Sequence, residues 1–131
     1  MIRIILADYR SKIRSALRLL LETRLDVDQI IEAQDMDHLQ TQLVNYRPDC
    51  LILDWNLPGL PIQGRVSLLR SLVTEIKIIA IDTTSEQKDQ IMIEGVDAFI
   101  CKTDPPAKLL EVLYEFCQTS DKKIEGEKDE D

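Results

Sequence analysis

Five short apolar runs alternate with five stretches of helical periodicity, and this alternation constrains the fold more than any other feature of the chain. The runs are Ile2 to Ala7, Ile30 to Ala33, Cys50 to Leu53, Lys77 to Ile81 and Ala98 to Cys101. They carry few polar residues, as strands buried on both faces do. Between them, apolar residues recur at helical spacing. Ser11 is a plausible cap for Ile13, Leu17, Leu20 and Leu21, and Asp35 for a helix carrying Leu39 and Leu43 that stops before Pro48. Val66, Leu69 and Val73 mark a third helix, and Gln87 to Glu94 a fourth, closed by Gly95. The last begins near Pro106 and turns Leu109, Leu110, Val112, Leu113 and Phe116 inward. Right-handed crossovers between such units lead to an α/β fold, a doubly wound five-stranded parallel sheet with helices on both faces.

At 131 residues with 44% hydrophobic content the chain has the mass for one domain, read here as residues 1–118, followed by an acidic solvated tail over 119–131. The formal charge is −8, and the body without the tail is still at −5. That argues against nucleic acid and anionic membranes as partners. Cys50, Cys101 and Cys117 fall at spacings no zinc site uses, and read as reduced, buried thiols. No apolar stretch approaches the length of a membrane span and no signal peptide opens the chain, so the default location is cytoplasm.

Three charged residues follow apolar runs directly: Asp8 after the first, Asp54 after the third and Lys102 after the fifth. In a doubly wound sheet the carboxyl ends of the strands lie side by side and form the ligand crevice. Two carboxylates there repel unless a cation lies between them, and Mg²⁺ is the natural complement. With Lys102 as a fixed positive charge, the set suits an incoming phosphoryl group, with Asp54 as its acceptor. The loop Asp8-Tyr9-Arg10-Ser11 lacks the glycine or hydroxyl run of a nucleotide or flavin site.

Taken in order, Ile4-Ile5-Leu6-Ala7-Asp8, Pro48 to Asp54 with Leu57-Pro58-Gly59, Gly95 to Lys102, and Pro106 resemble the receiver domain of response regulators in two-component signalling. The likeness spans roughly residues 2 to 117 and is nearest to receivers that precede helix-turn-helix DNA-binding domains. It implies the flavodoxin-like receiver topology. It also implies that Asp54 is the phospho-acceptor, loaded from a phosphohistidine on a histidine kinase or phosphotransfer protein. Asp8, Asp54 and the backbone carbonyl of Asn56 would hold Mg²⁺, and Lys102 would contact the phosphoryl group. Phe99 matches the aromatic switch position. A downstream protein partner would meet the last two helices and strands, and homodimerisation is left open. Such a domain is no enzyme beyond self-catalysed phosphoryl transfer.

The pattern breaks in two places. Receivers carry a second acid after the first strand as the direct metal ligand, and here that position is Tyr9. A phenol is a poor ligand for a hard cation, so Mg²⁺ binding is expected to be weak or absent. Tyr9 reads either as simple loss or as a hydroxyl filling the metal position. The Ser or Thr expected after the fourth strand is Asp82, unless a one-residue slip puts Thr83 there. Asp82 reads as a cap of the next turn or as a substitute metal ligand. The alternative function is therefore a phosphorylation-independent pseudo-receiver, an interaction or dimerisation scaffold. Trp55 reads as a packing residue and His38 as a surface one.

Overall fold

The computed structural model describes residues 2–59 and 61–116. Cys117 and the acidic 119–131 segment, and with them the expected end of the domain, lie outside the described residues. The elements run β1 (Ile2–Ala7), α1 (Ser11–Arg24), β2 (Val27–Ala33), α2 (Met36–Tyr46), β3 (Cys50–Asp54), α3 (Arg65–Leu72), β4 (Lys77–Asp82), α4 (Lys88–Ile93) and β5 (Ala98–Cys101). Residues 106–116 form α5. The strands make one sheet in the order β2-β1-β3-β4-β5, with every pairing parallel. This is the doubly wound, flavodoxin-like arrangement expected from the alternation.

Strand periodicity sorts the core into two layers. Ile5, Leu51, Leu53, Ile78, Ala80 and Phe99 face α2, α3 and α4, where Leu39, Leu43, Leu69 and Ile91 meet them. Ile4, Leu6, Ile52, Ile79, Ile81 and Ile100 face the other way, towards Leu21 of α1 and Leu109 and Leu113 of α5. No described helix is long and apolar enough to cross a membrane.

The boundaries depart from the sequence reading at informative points. β2 begins at Val27 rather than Ile30, because an edge strand tolerates the exposed Asp28 and Gln29. Ser11 is the first helical residue rather than the cap: Arg10 holds that position with no side-chain cap bond, and Asp8 Oδ1 instead accepts the Arg10 N–H at 2.9 Å. α4 is shorter than Gln87 to Glu94, which become its flanking caps. Asp35 caps α2 by accepting the His38 N–H at 2.8 Å.

α1 is held differently from its counterparts. Among its apolar residues only Leu21 is fully buried. Ion pairs tie the helix to the edge strand instead: Arg14 Nε to Glu32 Oε1 and Arg18 Nη2 to Glu32 Oε2, each at 2.9 Å.

The turn after β3 is anchored to α2. Pro58 O accepts the Met36 N–H at 2.9 Å, and Gly59 adopts φ 128, where a Cβ would stand 2.6 Å from Met36 Cβ. Only glycine fits both the angle and the space. Gly59→Ala is expected to cost about 3 kcal/mol of unfolding free energy through backbone strain plus the displacement of Met36, measurable in urea melts.

Candidate functional site

The register of the sheet brings the strand ends together. β1 pairs with β3 up to Ala7 opposite Leu53, so Asp8 and Asp54 follow as neighbours, while Asp54 itself pairs with Ile81. Asp82 pairs with Cys101, the residue before Lys102. Three carboxylates, Asp8, Asp54 and Asp82, are buried here at 4 to 5% exposure. Buried carboxylates need partners, and each has a different set.

Asp8 is fully engaged. Arg10 grips it in a two-pronged pair, Nε to Oδ1 at 3.0 Å and Nη2 to Oδ2 at 2.9 Å, beside its own backbone N–H. Arg14 Nη1 donates to the Asp8 carbonyl at 2.6 Å. Charge-assisted bonds of this kind contribute about 1.5–3 kcal/mol each when partly buried. The Asp8 carboxylate also holds the Arg10 guanidinium pKa above its usual value.

Asp82 is engaged too. Its Oδ1 accepts from Asn56 Nδ2 at 3.1 Å and from the Thr83 N–H at 2.8 Å. Thr83 itself is exposed. The expected switch position thus presents a buried carboxylate, which accepts the N–H of the next residue and ties down the turn after Asp54.

Asp54 has looser company. Its Oδ1 accepts the Asn56 N–H at 3.4 Å and lies 3.8 Å from Lys102 Nζ, beyond hydrogen-bond range. Below it, between α1 and α5, opens a cavity of about 260 Å³ walled mainly by aliphatic residues such as Ile13, Leu17, Ile81 and Ile100. Burial in these surroundings and the nearby Asp8 charge raise the Asp54 pKa, against smaller opposing effects from Lys102, Asn56 and Arg10.

The supporting residues are built into the ends of the elements. Lys102 N–H donates to Asp82 O at 2.8 Å. Asp104, whose carboxylate accepts the Cys101 N–H at 2.9 Å, closes the turn that carries Lys102; that bond and Lys108 lower the Asp104 pKa. Phe99 is 8% exposed, its ring within the α2–α4 layer. Trp55 is buried and His38 is on the surface. Cys50 and Cys101 are buried thiols.

Tyr9 does not fill a ligand position. Its side chain is turned outward at 56% exposure, with Arg10 5.6 Å from its ring centroid. The hydroxyl-in-the-site reading is thereby overturned: Arg10, two residues after Asp8, reaches the carboxylate instead. The spacing Asp8-x-Arg10 was the available signal and was not read. Arg65 was also missed. It is 3% exposed at the start of α3 and donates to Leu57 O at 3.0 Å, bracing the turn after Asp54. An arginine directly before the apolar face of α3 was the one sign of it.

Comparison with known proteins places the chain. The model of the response regulator receiver domain matches residues 4–114, and the chain belongs to that family. It is 34% identical over 86 residues to the phosphate regulon transcriptional regulatory protein PhoB of Escherichia coli, a match covering 63% of this chain and 38% of that protein. A two-component response regulator of the LuxR family from an Aurantimonas species superposes with a TM-score of 0.79 at 21% identity, covering 90% of this chain and 86% of the other. A CheY-like receiver domain protein from Methanospirillum hungatei gives 0.77 at 20% identity, covering 94% and 98%. Receivers are generally non-enzymatic signalling modules that bind Mg²⁺ at the acidic pocket and interact with histidine kinases and downstream partners.

The residues present here do not fit that ion. Both oxygens of Asp8 are taken by Arg10, Tyr9 offers no carboxylate, and the described residues contain no cluster of three or more acids, histidines or cysteines arranged to hold a metal.

The raised pKa of Asp54 has a stability consequence. The folded protein binds this proton more readily than the unfolded chain, so the contribution is complete below the ordinary carboxylate range and is lost as pH rises through the folded value. Asp54→Asn keeps an uncharged side chain throughout. It is expected to stabilise the protein by about 1 kcal/mol at neutral pH, with the gain fading in acid, as read by thermal melts at the two pH values.

Proposed function

We propose that this domain is a signal receiver in which Asp54 accepts a phosphoryl group from a phosphohistidine on a histidine kinase or phosphotransfer protein, and thereby changes partner binding. One observation carries this reading: of the three buried carboxylates, Asp54 alone has no side-chain hydrogen bond among the described residues, and the Lys102 ammonium lies 3.8 Å away. A carboxylate oxygen attacks phosphorus, the phosphorus–nitrogen bond breaks, and the imidazole leaves with its electron pair and takes a proton. Lys102 stands where it would meet the charge on the transferred group.

The output face is assigned to the last two helices, α4 and α5, with the last two strands, β4 and β5. Ile93 at 76%, Tyr114 at 58% and Met92 at 40% exposure support it as an apolar docking surface.

A second reading is favoured by Asp82, whose carboxylate occupies the expected place of a phosphate-binding hydroxyl and already holds Asn56. Under it the domain is a pseudo-receiver that acts as a scaffold without phosphorylation.

Incubation with phosphoramidate, a small-molecule phosphoryl donor, separates the two. Mass spectrometry is expected to show one added phosphoryl group on the wild-type chain and none on Asp54→Asn. An unmodified wild-type chain, folded by circular dichroism, selects the scaffold.

A further inference from the structure

We infer that the Arg10 guanidinium is the resident cation of this site, neutralising Asp8 and screening Asp54 in place of a divalent metal ion. This assignment does not depend on phosphorylation of Asp54.

The geometry is that of a fixed ligand. The guanidinium plane meets both oxygens of Asp8 at 3.0 and 2.9 Å, a fork-to-fork contact that combines charge with direction. Arg10 is also locked at its own backbone, whose N–H bonds Asp8 Oδ1 and whose carbonyl accepts the first helical bonds of α1, from Ile13 and Arg14 at 3.1 Å. These bonds fix the backbone from which the side chain reaches back to Asp8. Arg14 Nη1, on the Asp8 carbonyl, holds the same loop from the next turn.

Tyr9 fits this account. The outward turn of its side chain leaves the inner position to Arg10, and its ring lies against the guanidinium. An acid at Tyr9 would place a further negative charge beside Arg10 and invite a hard cation. The tyrosine instead flanks an organic one. Arg10 also attracts Asp54 through space, which relieves part of the repulsion between the two acids. A guanidinium stays charged at any pH at which proteins fold, so this neutralisation needs no metal and does not vary with metal supply.

The alternative is that Arg10 makes an ordinary loop ion pair and a metal binds beside it. A Mg²⁺ titration of the full chain, followed by Trp55 fluorescence and by the melting temperature in EDTA against Mg²⁺, decides between them. The wild-type chain is expected to give no saturable response up to tens of millimolar Mg²⁺ and no shift in melting temperature. Arg10→Ala exposes the carboxylates and is expected to melt lower in EDTA, recover in Mg²⁺, and bind the ion at least about tenfold more tightly than wild type. If Arg10→Ala does not fold, Arg10→Gln serves the same comparison.

Wild-type binding as tight as that of the variant would overturn the assignment. So would silence in both proteins, because the acids would then not form a cation site for Arg10 to fill. Phosphoryl incorporation is read separately by mass, so failure of the Asp54 acceptor role leaves the cation result intact.

Discussion

The parallel pairing of β1 with β3 is the constraint from which the rest of the molecule follows. Because Ile4, Ile5, Leu6 and Ala7 lie opposite Cys50, Leu51, Ile52 and Leu53, the two chains leave the sheet side by side. A carboxylate stands at each exit. Burial of the strands between two helix layers makes this register costly to change, since a slip of one residue would exchange the side chains of the two cores. The electrostatic problem at the strand ends is thus imposed by hydrophobic packing elsewhere. It has to be solved locally, by whatever positive groups the loops can supply.

Two cations reach the crevice, and their distances rank them. Arg10 contacts Asp8 at hydrogen-bond length from within the same loop, whereas Lys102 stands 3.8 Å from Asp54. The shorter, doubly bonded pair is the stronger interaction, and it leaves one acid closed and the other open. That difference sets apart two chemically identical side chains at neighbouring strand ends. Burial and the nearby Asp8 charge leave the Asp54 pKa raised, and with it a modest loss of stability at neutral pH.

Much of this architecture was legible in the sequence. The strands are short and almost wholly apolar, so their number, order of appearance and parallel arrangement could be read from their alternation with helical stretches. Asp8, Asp54 and Lys102 were found because a charged residue ending an apolar run has few structural explanations. Side-chain partnerships within loops were far less visible. The spacing Asp8-x-Arg10 hints at the contact, but which of Tyr9 and Arg10 turns inward depends on backbone angles set by the start of α1. Arg65 escaped for the same reason, since its acceptors are backbone carbonyls of the Asp54 turn that exist only once the chain is folded. Asp82 against Thr83 was a matter of where β4 ends, and strand ends are set by pairing partners rather than by local residues.

The attachment of α1 carries a final consequence. The helices on the other layer are secured by aliphatic side chains, whose burial salt affects little. α1 is secured largely through Arg14, Arg18 and Glu32, and it bears Arg10 at its head. Charge pairs near the surface are screened once dissolved ions shrink the Debye length to about 3–10 Å. Ionic strength therefore acts unevenly on this molecule. It weakens the partly exposed Arg18–Glu32 pair of α1, while the buried Asp8 end and the opposite layer keep their grip.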